Sequence, residues 1–493
     1  MEGSSFFKMV LDFSDKVVWN PALPLLILAT GLYFSLRSRF LQVRHFKQML
    51  ILLFKGRGSK EGIAPFQAFS MALCGRIGMG NIAGVATAIL VGGPGAIFWM
   101  WLAAFLGAGT AFVESVLGQL YKKVEADGNF RGGPAYFIEK GLGRRWIGVV
   151  FAVVAIVAMF VLLPGLQANM IVSGLNQAFG LSPIVGGVII VVGLAAILMG
   201  GVKRLATVVG VIIPFMALGY MLVIAIILIM NITQVPAVFG LIVSSAFGAH
   251  PLFGGILGTA IMWGVRRGIF SNEAGQGSGP HTAAAAESNH PAVQGFVQGF
   301  SVYVDTLLIN SATAFAILIT GVYNVQNGSG GFIVQNVAAD TSGPGFTQLA
   351  VNAFLPGFGP AFVAIALFMF AFACILSYYY MSETNFLYLF KNTSPENVKK
   401  ILIPLQLVFF AVTFLGAVVN AETAWNFGDI GVGMMAWVNL TAIWFLHPRT
   451  FRILRDYEKQ LKENPNKIAF DPRPLGIKNA KYWEDRFDSG VDK

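Results

Sequence analysis

The residues best suited to chemistry lie in one run, Cys74-Gly75-Arg76-Ile77-Gly78-Met79-Gly80-Asn81-Ile82-Ala83-Gly84, inside an apolar segment from about Ile63 to Val91. Glycine weakens a helix interior and a charge is costly in hydrocarbon, so four glycines beside Arg76 and Asn81 predict an interrupted helix. An interruption leaves backbone groups free. Free N–H groups attract anions and free C=O groups attract cations, and such backbone is tolerated at membrane depth only where it lines a cavity in the protein. The run therefore reads as half of a solute site. A second interruption is expected between His250 and Glu287, where Arg266, Arg267, Glu273, several glycines and Pro280 argue against a continuous lipid-facing helix.

Ionisable residues within apolar segments are functional candidates because each is expensive there unless paired. They are Arg76, Glu114, Arg266, Arg267, Glu273 and Asp305, with Glu383 and Asp429 near segment ends. A structural ion pair, such as Arg267 with Glu273, is the competing reading, and Asp305 is a candidate for handling a cation or proton. Gln167 follows Pro164-Gly165-Leu166, where proline loosens the backbone and an inward amide could meet an amino or carboxylate group. Gly78-x-Gly80-x-x-Ala83 matches a dinucleotide fingerprint only as a pattern, since no strand precedes it; close helix packing through small residues is its other reading. Gly277-Ser278-Gly279 lacks the glycine two residues before serine that a hydrolase elbow needs, Gln276 standing there, so no enzyme is expected. Cys74 and Cys374 have no metal-ligand spacing and imply no disulfide.

These residues belong to a chain of 493 residues that is 56% hydrophobic and 12% charged, with mean hydropathy +0.68. A soluble chain of that length needs far more polar surface, so the fold class expected is an all-α integral membrane protein in a lipid bilayer. Apolar runs centred near Leu26, Gly78, Ala108, Ala158, Val191, Leu222, Trp263, Ala312, Met369, Phe409 and Val438 predict about eleven spanning helices. The net charge of +10 is spread over connectors and does not suggest a nucleic-acid partner. Connectors carrying Arg37 to Lys60, Lys122 to Arg145, Lys203 with Arg204, and Lys391 to Lys400 alternate with connectors lacking Lys and Arg. The positive-inside rule puts the basic set and the tail from Arg449 in the cytoplasm and the N-terminus outside.

The first interruption falls in helix two and the second in helix seven. With helix one as an extra N-terminal element in 1–45, residues 62–235 and 250–447 form two groups of five, each opening on a broken helix, and 448–493 form a cytoplasmic tail, most simply solvated. Matching interruptions in two halves point to an inverted-repeat secondary transporter with its site at the midplane. The segment 321–357 reads as an outer loop with short helices.

Taken together, Gly78-Met79-Gly80-Asn81-Ile82-Ala83-Gly84-Val85-Ala86-Thr87-Ala88, Gly92-Gly93-Pro94-Gly95, Phe130-Arg131-Gly132-Gly133-Pro134-Ala135-Tyr136, Phe270-Ser271-Asn272-Glu273-Ala274-Gly275 and Asp305-Thr306 resemble the alanine or glycine:cation symporter family. The resemblance runs from Pro65 to Pro448 and implies inward carriage of a small neutral amino acid with sodium, or alternatively a proton, in a bacterial or archaeal inner membrane, with no cofactor. It implies that amides near Gly78, Met79 and Gly80 take the carboxylate, that carbonyls near Gly75 face the ammonium, and that Gln167 contacts substrate. An unwound stretch near Ile269, Phe270 and Ser271 closes the other side, with Cys374 and Tyr378. It also implies a cation site from Cys74, Ile77, Asn81, Phe370, Ala373 and Cys374, and leaves Arg76, Glu273 and Asp305 as coupling or structural charges. The family pattern has Ser-Thr where this chain has Ala373-Cys374, Trp in place of Tyr378, and small or hydroxylic residues in place of Arg76 and Met79. Two missing hydroxyls weaken a hard-cation site, so sodium and proton coupling both stay open, as do an amino-acid sensor and a channel.

Overall fold

The structure, a computed structural model, describes residues 8–54, 65–125, 128–391, 395–465 and 467–490. The basic residues Lys55, Arg57 and Lys60 and the start of the apolar segment at Ile63 lie outside the described residues.

Eight described helices are long and apolar enough to cross a membrane. The other three expected spans also appear: one as a 16-residue helix, Pro183–Leu198, and two as broken helices. The chain is an all-α, multi-pass membrane protein. In chain order the elements that position the site are α1 (Ala22–Arg37), α2 (Pro65–Arg76) and α3 (Ala83–Gly92), which are the halves of the first break, and α4 (Gly95–Leu120). They continue with α5 (Arg145–Phe179), α6 (Pro183–Leu198), α7 (Gly201–Met230), and α8 (Leu257–Asn272) with α9 (Gly279–Ala285), the halves of the second break. Then come α10 (Pro291–Thr320), α11 (Gly359–Leu389), α12 (Pro395–Val418), α13 (Ala421–Glu463) and α14 (Lys481–Asp488).

Local chemistry sets several of these boundaries. Ser182 and Asn420 cap α6 and α13 by accepting from Val185 N–H and Thr423 N–H, and Pro183 and Pro291 open α6 and α10, where a missing N–H costs nothing. α5 and α10 each pass through a wide turn, Val157–Leu162 and Tyr303–Asn310, and the second of these carries Asp305. Helices α4, α8, α10 and α11 form the buried centre, whereas α7 and α12 show Phe215, Leu222, Ile229, Ile403, Leu407 and Leu415 on the outside, as helices bathed in lipid should.

The segment 321–357 carries a helix, Gly345–Phe354, as expected, and also an antiparallel hairpin pairing Asn324–Gln326 with Phe332–Gln335. It reaches inward: Thr347 Oγ1 donates to the carbonyl of Ile82 at 3.3 Å, at the first break itself.

The tail corrects the expectation of a solvated extension. Helix α13 has 43 residues, about 64 Å at the usual rise, roughly twice a hydrocarbon core, and the chain then folds back on the core. Trp483 is fully buried and its indole donates to the carbonyl of Gln119 at 2.9 Å. Lys122, also buried, lies 4.1 Å from the Phe130 ring centre and 4.4 Å from that of Tyr482, and it donates to Ala286 O at 2.9 Å. Asn289 donates to Ile468 O, and His290 meets Asp456 at 3.2 Å. Scattered aromatic residues in a charged sequence thus fasten the tail to the end of α4 and to the linker after α9.

Candidate functional site

At the first break, α2 ends at Arg76, Gly78 is extended at φ −141°, a single tight turn covers Met79–Asn81, and α3 begins at Ala83. Two of the freed amides are held by side chains. Gly78 N–H donates to Asn81 Oδ1 at 2.8 Å, and Met79 N–H donates to Gln167 Oε1 at 3.1 Å. The Gln167 amide is itself 3.4 Å from the Tyr378 hydroxyl. A Cβ at Gly78 would stand 2.5 Å from Cys374 Sγ and 3.1 Å from Gln167 Oε1, so this backbone can approach α5 and α11 only because it is glycine.

Asn81 ties the break to α10. Its amide donates to Asp305 Oδ1 at 2.6 Å and to Asn310 Oδ1 at 2.7 Å. Ser271 Oγ donates to Asp305 Oδ2 at 2.9 Å, Thr306 Oγ1 does so at 2.7 Å, and Asn310 donates back to Ser271 at 3.0 Å. Both carboxylate oxygens of Asp305 are therefore satisfied.

The expected cation residues also converge, and thiols stand among their carbonyls. Cys374 Sγ lies 2.8 Å from Cys74 O, 3.3 Å from Gly75 O and 3.5 Å from Ile77 O, while Cys74 Sγ donates to Ala373 O at 2.7 Å. Phe370 is buried one turn before Ala373. Carbonyls that a cation would use are here engaged by Cys374.

The second break begins later than expected. Ile269, Phe270 and Ser271 are not unwound; they are the last turn of α8, which runs to Asn272. The non-helical residues run from Glu273 to Ser278, with positive φ at Glu273 (+57°), Gly275 (+86°) and Gly277 (+89°). Ser271 still faces the first break, its Cα 3.3 Å from where a Cβ on Gly80 would be. Phe270 packs at a tilt against Trp425, with ring centres 5.7 Å apart. The free amides here are also held by side chains: Gly275 N–H donates to Glu114 Oε1 on α4 at 3.2 Å and Ala274 N–H to Asn272 Oδ1 at 3.0 Å. Asn439 on α13 donates to Glu114 Oε2 at 2.8 Å and to Gly275 O at 2.9 Å.

Arg76 links the two breaks. Its Nε donates to Asn272 O at 2.6 Å, and its Nη1 donates to Gln298 Oε1 at 3.0 Å and to Ser301 Oγ. Arg267 does not pair with Glu273. It pairs with Asp429 and stacks 4.4 Å from the Trp425 ring centre, while Arg266 pairs with Asp15 at 2.9 Å and Asp429 at 2.8 Å. Glu383 pairs with Arg131 at 2.6 Å.

The residues expected to bind substrate or cation, with Arg76, Glu273 and Asp305, are all buried, whereas Glu383 and Arg266 are taken by ion pairs with Arg131 and Asp15. The sequence reading missed Gln298, Ser301, Asn310, Ser377 and Asn439. Gln298, Ser301 and Asp305 do recur at helical spacing on one face of α10, a polar stripe that could have been found.

Compared with known proteins, the chain matches the sodium:alanine symporter family over residues 4–471. The chain belongs to the sodium:alanine symporter family. Within it, YrbD of Bacillus subtilis (strain 168), named for sodium/proton-dependent alanine carriage, is 54% identical over 473 residues, 96% of this chain and 97% of that one. A sodium/proton-dependent alanine carrier of Bacillus sp. (strain PS3) is 47% identical over 446 residues, 90% and 99% of the two chains. The sodium/alanine symporter AgcS of Methanococcus maripaludis is 37% identical over 447 residues, 89% and 95%. Membership of this symporter family makes the two breaks the place to look for the carried solute.

Proposed function

We propose that this chain is a secondary symporter that carries alanine, or a comparably small neutral amino acid such as glycine, inward with sodium by alternating access, without altering it chemically. One observation carries the reading. At the first break the amide of Met79 donates to the side-chain oxygen of Gln167, an acceptor that a substrate carboxylate could replace. A carboxylate that displaces Gln167 would find the adjacent glycine backbone open to close approach, and Gln167 and Tyr378 would turn to meet it. The names of the relatives support alanine as substrate and sodium as the coupling ion. We further propose that residues 62–235 and 250–447 act as the two five-helix repeats, with the basic connectors and the tail on the cytoplasmic side of an inner membrane.

The test is uptake of radiolabelled alanine by proteoliposomes under imposed ion gradients. Saturable accumulation against the alanine gradient, driven by inward sodium, is expected. Uptake that only equilibrates would indicate a channel, and substrate binding without uptake a sensor.

A further inference from the structure

The charges around the two breaks do not balance. In their ordinary ionised forms Glu114, Glu273 and Asp305 are negative and Arg76 is positive, and each is at most 2% exposed. One positive charge against three negative leaves an excess of two negative. The other buried arginines nearby, Arg266 and Arg267, are committed to Asp15 and Asp429. The His281 ring accepts from the Asn385 amide at 2.9 Å and meets Ser278 O at 3.1 Å, the pattern of a neutral imidazole. An uncompensated buried carboxylate is expensive, so this core is built to receive positive charge.

Hydrogen bonding shows where that charge would go. Both oxygens of Glu114 are bonded, by Gly275 N–H and Asn439, and both of Asp305, by Asn81, Ser271 and Thr306. Glu273 differs. Its Oε2 accepts from Ser278 Oγ at 2.8 Å, and among the described residues its Oε1 has no partner. Ser377 Oγ, 1% exposed, has none either. Both side chains lie beside Gly75: a Cβ there would stand 2.9 Å from Glu273 Oε2, the oxygen that Ser278 holds, and 3.4 Å from both Ser377 Oγ and Met381 Cε. Glu273 also holds a left-handed backbone conformation that favours glycine, so the carboxyl is kept where the backbone alone would prefer no side chain.

We propose that the co-transported sodium ion is seated between Glu273 and Ser377, one helical turn along α11 from Cys374, rather than in the carbonyl cage that Cys374 fills. This rests on the sodium-coupled symport proposed above and adds where the ion binds. Carboxylate and hydroxyl oxygens are the hard donors a sodium ion needs, which a thiol is not. An ion there would adjoin the backbone of Gly75, immediately before the first break, so its arrival and that of substrate would bear on the same few residues.

The test compares Ser377→Ala, Ser377→Thr and Cys374→Ala by two readouts. These are the sodium dependence of alanine uptake in proteoliposomes and the rise in melting temperature that sodium causes in purified protein without alanine. Loss of one oxygen ligand in Ser377→Ala should raise the half-saturating sodium concentration about tenfold in both readouts. Ser377→Thr, which restores a hydroxyl, should return it to within about threefold, and Cys374→Ala should shift it by no more than about twofold. A sodium response in Ser377→Ala equal to wild type, or a larger shift in Cys374→Ala than in Ser377→Ala, would overturn the assignment and return the ion to the carbonyl cage. Alanine uptake driven by an acid-outside gradient, with no sodium-induced rise in melting temperature, would also overturn it. If sodium stabilises the purified wild-type protein through Ser377 but drives no alanine uptake, the seat stands and the transport reading fails.

Discussion

The two helix breaks use opposite chemistry. The first is neutral along its backbone turn, and the amide of Met79 is held by the uncharged side-chain oxygen of Gln167 on α5. The second carries its own acid, Glu273, and its amides at Ala274 and Gly275 are tied to Asn272 and Glu114. A break whose N–H donors are held only by uncharged amide oxygens suits an anion; a break that already engages one carboxylate and has a spare oxygen on another suits a cation. The two are therefore not interchangeable halves of one pocket. Under the proposed symport, a zwitterion and its coupling ion would be sorted between them by charge.

The sharpest way to break this contrast is a methyl group on the first turn. Gly78→Ala places a Cβ 2.5 Å from Cys374 Sγ and against Gln167, and is expected to cut alanine uptake by at least about a hundredfold while the protein still reaches the membrane. Gly275→Ala at the second break should act differently. There φ is +86° and the new atom would lie 2.9 Å from Leu440, so the cost, on the order of 1–3 kcal/mol, should appear as a lower melting temperature and yield. Alanine affinity in the Gly275→Ala protein that survives should be near wild type. Equal loss of affinity in both variants would erase the distinction between the breaks.

A smaller effect is expected from Gln167→Glu, which ties a carboxylate to the Met79 amide and sets it in competition with substrate. Half-saturating alanine should rise by about tenfold. An unchanged value would mean that the substrate carboxylate goes elsewhere. Size selection should follow from the closeness of Met79, Phe270 and Tyr378: leucine and glutamine are expected to compete with labelled alanine at least about tenfold less well than glycine does.

The smallest expected change in alanine affinity is at the far end of the second break. Trp483→Ala removes the buried indole that holds the end of α4 and should lower the melting temperature by a few degrees, leaving alanine affinity intact. A shift in affinity would show that the tail reaches the site.

The first break was legible residue by residue, because glycines, an arginine and an asparagine crowd one short apolar run. The second was legible only as a region. Its glycines at 275 and 277 were visible, but glutamate is an ordinary helix former, and nothing local announces that Glu273 leaves the helix at positive φ. Contacts between distant helices, such as Asn439 with Glu114, were beyond reach, since a lone polar residue in an apolar run does not reveal its partner. The tail misled for a related reason: its charges are conspicuous, whereas the docking depends on Tyr482 and Trp483 meeting Lys122 far back in the sequence, with Phe470 packed against Trp483.

That docking also places an event late in the life of the molecule. A chain emerges from the ribosome N-terminus first, so residues 467–488 appear after every membrane helix has been made. Yet Trp483 and Lys122 share an anchorage, and Lys122 with Gln119 holds the carbonyl of Ala286 at the end of α9. Arg486 reaches Glu287 and Ile468 receives Asn289 in the linker that follows. The half-helix that completes the charged break therefore has its end pinned by residues made after all the described membrane helices, and a chain halted at the end of α13 would hold all of its site residues without that fastening.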